Sequence, residues 1–263
     1  MLDLLDSLGL AEDTLNPIDH NTFRRQAMTF TRRSVLAVGA AALATPAFSQ
    51  SFPDRPIRIV VGYPPGQNAD VTARAFAIAM AKDLGQSIIV DNKAGANGIL
   101  SAQDVKSAKA DGYTLLFGTS GQLAINPSLY KKLPYDTLKD FQAVGLSGRA
   151  PLVLIANMQF APNSVPELIA YVKGHPGKVD FGSGGSGITA HLAMELFQDA
   201  AGIKMNHIPY KGSPAAMNDL IGGQIPLMME PLPSVLPHVK SGKVKALAIT
   251  APGRSPFLPE VPT

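Results

Sequence analysis

The sequence predicts an α/β fold of two lobes around a ligand cleft, and two observations carry that expectation. Short apolar runs alternate with segments of helical periodicity from residue 57 to residue 250. A Gly- and Pro-bearing stretch at 148–151 divides the alternation into two series, each able to make a sheet with its own helices. The strand-like runs are apolar without alternation, the pattern of parallel sheets covered on both faces.

In the first series, 57–61 reads as a strand, 71–84 as a helix with apolar residues at helical spacing, and 87–90 as the next strand, which makes a βαβ unit. Helix 99–108 and strands 114–117 and 144–146 continue it, and strand 152–155 follows the crossing. Helix 165–173 opens behind Ser164, where Glu167 completes a capping box. Strand 178–181, helix 188–201 and strand 205–208 come next. Helix 214–221 is entered through Ser213 as N-cap with Pro214 at its first position, and strand 227–229, helix 235–240 and strand 246–250 complete the series. The expected division is 50–148 for the first lobe and 149–252 for the second, with 253–263 returning toward the first.

Composition narrows the function. The 263 residues are 46% hydrophobic and 16% charged, enough apolar material for a buried core. A net charge of +3 without a long Lys/Arg run argues against nucleic acid as a partner. With no Cys, disulfides, thiolate metal sites and a Cys nucleophile are excluded.

The first 49 residues read as an upstream extension, 1–27, and a removable signal peptide, 28–49. Thr31-Arg-Arg-Ser34 precedes an apolar run at 35–44, and Ala47-Phe-Ser49 places small residues before a cut at Gln50. The run falls short of the roughly 20 residues needed to span a bilayer. Its basic motif resembles the twin-arginine export signal, with the general secretory route the alternative, so the mature chain is expected in the periplasm.

Three loops at predicted strand ends are rich in small and polar residues, where open α/β sheets bind ligands. The first runs from Gly62 through Tyr63, Pro65, Gly66, Gln67 and Asn68 to Asp70, at the entry to a helix whose free amides suit an anion. An ordinary helix cap at Asn68 or Asp70 explains the same residues. The second offers Thr119 and Ser120. The third, Gly182, Ser183, Gly184, Gly185, Ser186 and Gly187, contains G-x-G-x-x-G between a strand and a helix. No acidic residue follows near 206–209 to hold a ribose, which turns the loop from a dinucleotide site toward a small-anion cradle. His191 stands beside it, and neither His191 nor His207 has partners at metal-ligand spacing. No G-x-S-x-G elbow is present. Met228-Met-Glu230 reads as core filling or pocket lining, and Glu230 would repel an anion unless it faced an ammonium or solvent.

Tyr63-Pro-Pro-Gly66 with Asp70 and Arg74, Asn92-Lys-Ala-Gly-Ala96, Asp111-Gly-Tyr-Thr-Leu115, Asn126-Pro-Ser-Leu-Tyr130, His207-Ile-Pro-Tyr-Lys-Gly212 and Leu258-Pro-Glu-Val-Pro-Thr263 together resemble the tripartite tricarboxylate transporter receptors, also called Bug proteins. The resemblance covers residues 52–263. It implies a periplasmic binding-protein fold of the type II kind, a Venus flytrap. Its ligand would be a di- or tricarboxylate, aromatic acid or amino acid, held without a cofactor or metal. The partners it implies are that acid and membrane subunits of a tripartite transporter, with the receptor itself a monomer. By position it carries ligand contacts to Gly66, Gln67, Asn68 and Asp70, to Gly182 through Gly187, and to His191; Tyr210 joins them through the Tyr-Lys-Gly motif. Gln67-Asn68 stands where such proteins often have Gly-Gly or Gly-Ser, and the chain stops where they continue, so an incomplete first lobe is expected.

Two other functions compete: an exported hydrolase-like enzyme using Ser183, Ser186 or His191, which lacks a paired acid and base in the sequence, and a nucleotide-dependent oxidoreductase resting on the Gly motif alone.

Overall fold

A computed structural model of the chain describes residues 51–263. The signal-peptide reading at 28–49 and the upstream 1–27 lie outside the described residues. Strands β1 (Ile57–Val61), β2 (Ile88–Asn92) and β3 (Thr114–Phe117) form a parallel sheet in the order β2-β1-β3. Helix α1 (Asn68–Leu84) connects β1 to β2 and closes at Gly85, whose left-handed φ of 63° terminates it. Helix α2 (Ile99–Lys106) connects β2 to β3, and a π-helical turn, Gly121–Ile125, leads into the short α3 (Asn126–Leu129).

A second sheet holds β4 (Leu152–Asn157), β5 (Asp180–Ser183), β6 (Asn206–Pro209), β7 (Leu227–Pro231) and β8 (Val244–Ile249), in the order β6-β5-β7-β4-β8. Its helices are α4 (Val165–Gly174), α5 (Thr189–Ala201), α6 (Ser213–Ile221) and α7 (Leu232–Lys240). Val153, Ile155 and Met228 face α6 and α7, while Leu154, Phe181 and Leu227 face α4 and α5, so this sheet is covered on both faces. Burying a side chain such as Phe181 contributes about 1.5–3 kcal/mol.

Several expectations need correction. The second sheet is mixed, because β4 runs antiparallel to both β7 and β8. The first sheet is only partly covered: Ile89 is 53% exposed. Residues 144–146 are not a strand; Val144 and Leu146 are 84% and 74% exposed and pair with nothing among the described residues. Gly212, not Ser213, occupies the N-cap of α6, and Ser213 is its first helical residue. The 253–263 segment lies against the second sheet rather than the first: Ile249 N donates to Pro262 O at 2.8 Å, and Leu258 and Val261 join the core beneath α6 and α7.

The lobes touch. Ile188 and Ala190 at the start of α5 share an apolar cluster with Val61, Tyr63 and Ala73 of the first lobe. Gly212 lies under Pro64, so closely that a Cβ there would stand 2.7 Å from the proline ring.

Candidate ligand-binding cleft

The loop after β1 is held from below by Asp70. Its Oδ2 accepts from Gly66 N, and its Oδ1 accepts from Arg74 Nε and Asn92 Nδ2, each at 2.9 Å. Burial alone would raise this carboxyl, but the Arg74, Gly66 and Asn92 hydrogen bonds outweigh it and hold its pKa below the ordinary carboxylate value. Asn92 also donates to Tyr63 O at 2.9 Å, locking the loop at a second point. Asp70 is thus a bracket for the loop and lines neither of the two cavities described below.

Tyr63 is the pivot of the first lobe. Its buried hydroxyl donates to Asn97 Oδ1 at 3.0 Å and pairs with Thr119 Oγ1 at 2.8 Å, and burial pushes its pKa up to about 12. Asn97 then donates to Asn126 Oδ1 at 2.8 Å and, across the cleft, to Gly187 O at 3.0 Å. A second bridge joins Ser120 Oγ to Thr189 Oγ1 at 2.8 Å, and Ser213 N donates weakly to Gln67 Oε1 at 3.5 Å.

In the second lobe the Gly-rich loop is tied to its neighbours. Ser183 O accepts from Tyr210 N and Gly184 O from Gly212 N. The glycine at 184 has a packing reason, since a Cβ would fall 2.6 Å from Ser213 Oγ. Ser183 Oγ lies 2.6 Å from His207 Nε2 and donates to Gly185 O at 2.9 Å. His207 stacks on His191 with ring centroids 3.9 Å apart; burial, then the neighbouring His191, pulls its pKa down to about 4. His191 Nδ1 accepts from Gly187 N at 3.1 Å, and burial lowers its pKa as well. Both rings are therefore neutral supports of the loop. Tyr210 donates its hydroxyl to Asp219 at 2.7 Å.

The residues predicted to share one cleft divide between two cavities. The larger, about 640 Å³, collects Tyr63, Gln67, Asn68, Thr119 and Ser120 together with Thr189, Arg149 and Glu230. The smaller, about 460 Å³, collects Tyr63, Gly184, Gly185, Ser186 and Tyr210 with Asn97 and Lys211. Pro65, Gly66, Asp70, Gly182, Ser183, Gly187 and His191 line neither. Both volumes lie in the range of small-molecule sites. Asn97 and Thr189, which also line these cavities, carried no signal in the sequence, whereas Glu230 was singled out there only as core filling or pocket lining.

The larger cavity has one further property. The opening residues of α1, Asn68 and Ala69, and those of α5, Thr189 and Ala190, line it from opposite lobes. Neither helix has a side-chain cap at its N-terminus. Two helix ends without side-chain caps thus line one cavity, an arrangement that favours anions, with the Asp70 carboxylate in the first turn of α1 turned away to Gly66 N, Arg74 and Asn92.

The family model of the tripartite tricarboxylate transporter family receptor matches residues 72–263. The chain belongs to this family. It is 42% identical to protein BugT of Bordetella pertussis over 227 residues, which covers 86% of this chain and 70% of BugT. Among solved structures, the periplasmic binding protein BugD is 38% identical with a TM-score of 0.75, over 81% of this chain and 71% of that one. Rpa4515 of R. palustris, solved with adipate, is 34% identical with a TM-score of 0.79, again over 81% and 71%. The fold of this tripartite tricarboxylate receptor is accordingly that of a two-lobed periplasmic binding protein.

Proposed function

We propose that the chain is a periplasmic receptor that captures a small dicarboxylate between its lobes and hands it, unchanged, to the membrane subunits of a tripartite transporter. One observation carries this reading: the uncapped N-termini of α1 and α5 face the same cavity from opposite lobes, one anion site on each. A diacid that spans both contacts the lobes only when they are together, so its binding energy favours closure. The adipate found in Rpa4515 is a ligand of this chemistry. Export through the 28–49 signal fits the same role. The hydrolase reading loses support at Ser183, whose pairing with His207 resembles a nucleophile and base. That serine is 1% exposed, lines neither cavity and already donates to Gly185 O, so no substrate reaches it.

Thermal unfolding of the full chain against mono-, di- and tricarboxylates tests the proposal, because a ligand that binds only the folded state raises the midpoint; at 100 times its Kd it adds about 2.7 kcal/mol. A saturable rise with a diacid, larger than with its monoacid counterpart, is the expected result. A cooperative melt that no acid moves would exclude a carboxylate receptor.

A further inference from the structure

Glu230 stands at the end of β7 between the first turns of α6 and α7. It is 2% exposed and lines the larger cavity. An unpaired buried charge is costly, and buried carboxylates normally have a cation or a full set of donors beside them. Among the described residues no lysine, arginine or histidine forms an ion pair with Glu230. Its Oε2 has no hydrogen-bond partner. Burial raises its pKa to about 7, with the nearby Ser213 and Ser234 hydroxyls opposing the rise, so near neutral pH the group is poised between its two forms. On the other lobe's side of the same cavity, the Asn68 carboxamide oxygen is also buried and unpartnered. The Ser213 hydroxyl beside Glu230 is also buried and unpartnered and can give one donor, and Arg149 lines the cavity without pairing with Glu230, so the two acceptors still lack further donors and Glu230 a paired positive charge. A carboxylate brings only more acceptors, whereas a primary ammonium brings three donors and the missing positive charge.

We propose that Glu230 is the ammonium subsite of this cleft, so that the ligand is an amino acid whose carboxylates meet the helix ends while its cationic nitrogen meets Glu230 and the Asn68 carboxamide. The inference rests on the receptor reading above and narrows its ligand class. It makes a polar wall that is unsatisfied without ligand the source of selectivity, because an analogue lacking the amine leaves these acceptors buried and unpaired.

Isothermal titration of the full chain with matched probes, aspartate against succinate and glutamate against glutarate, tests it. In at least one pair the amino member binds about tenfold or more tightly than its deaminated partner. Glu230→Gln, which keeps the shape and removes the charge, lowers affinity for that amino probe at least about tenfold and changes the deaminated one by less than about threefold.

A pH series on the unaltered chain provides a readout that does not depend on the variant folding. The preference for the amino probe rises between about pH 6.5 and 8 as Glu230 ionises while the ligand ammonium keeps its proton. The other ionisable groups lining the cavity are Tyr63 and Arg149. Elements packed near β7 carry Asp180, His191, Glu195, Asp199, Asp219, His238 and Lys240, with Asp70 and Arg74 on α1. The two histidines lie below their ordinary 6.5 and stay neutral in this window.

Equal affinities within both pairs, unmoved by Glu230→Gln, overturn the proposal and leave the receptor intact. Diacid binding that weakens above pH 7 in the unaltered chain but not in the variant overturns it too, because Glu230 then acts as a proton-bearing donor to the ligand carboxylate. If none of these probes binds, the ammonium subsite is refuted, and the wider acid panel decides whether the receptor reading falls with it.

Discussion

A left-handed backbone at Asn97, φ 51° and ψ 42°, turns its carboxamide toward the cleft, where it links Tyr63, Asn126 and, across the lobes, Gly187. Asparagine tolerates this conformation better than other residues with a Cβ. In Asn97→Ala the Gly187 carbonyl loses its cross-lobe donor and the alanine adds about 1 kcal/mol of backbone strain. Ligand affinity is expected to fall about fivefold to tenfold, the worth of one hydrogen bond between the lobes. Asn97→Gly relieves the strain without restoring the bond, so affinity stays low while the melting temperature recovers. Full recovery of affinity in the glycine variant would show that Asn97 matters only through its backbone. The sequence did not expose this residue, because its role depends on a loop 90 positions away. The same holds for His191: its place beside the Gly-rich loop was legible, but only the geometry shows its ring turned to Gly187 N rather than to a cavity.

Helices were legible wherever local chemistry decides them. Ser164 caps α4 as its capping box predicts: its Oγ accepts from Glu167 N at 3.3 Å, and Glu167 reaches back to Asn163 N at 2.9 Å. The strand expected at 144–146 failed because a strand is stable only against a partner, and apolar composition does not supply one. The direction of β4 was illegible for a related reason: the chain enters the second sheet through β4 before any βαβ unit of that sheet exists, and periodicity carries no direction. One end of an element rests on a residue far from it. Asn157 Nδ2 donates to Leu220 O at 2.7 Å and Ile221 O at 3.3 Å, closing the C-terminus of α6, while its Oδ1 accepts from Gln159 N at 2.8 Å. In Asn157→Ala the Ile221 carbonyl and Gln159 N lose their partner, while Leu220 O keeps Gly223 N at 3.2 Å, and the change is expected to cost about 1–3 kcal/mol, read as a lower denaturant midpoint. Ligand affinity should change less than about threefold, because Asn157 lines neither cavity. A large loss of affinity at unchanged stability would contradict a purely structural role.

At the scale of the molecule, the lobes are joined by hydrogen bonds from Asn97 to Gly187, Ser120 to Thr189 and Ser213 to Gln67, by the Gly212–Pro64 approach, and by the packing of Ile188 and Ala190 on Val61, Tyr63 and Ala73. None of these contacts is charged and each hydrogen bond is weak in isolation, while the apolar patch made by Ile188 and Ala190 is small, so the balance between open and closed lobes is within reach of a ligand's binding energy. The Ser120 and Thr189 hydroxyl oxygens, 2.8 Å apart, mark a site where the balance can be fixed covalently, and the chain has no native Cys to interfere. In Ser120→Cys/Thr189→Cys, oxidation joins the lobes beside the larger cavity. If opening gates exchange, a bound acid leaves the oxidised protein at least about tenfold more slowly than the reduced one, and reductant restores the faster rate. Loading the protein before oxidation should trap ligand, and oxidising it empty should exclude ligand. Equal release rates in the two redox states, with the disulfide verified by mass, would mean that ligand passes without lobe separation, and the helix-end cavity would then be a permanently open site rather than a closing one.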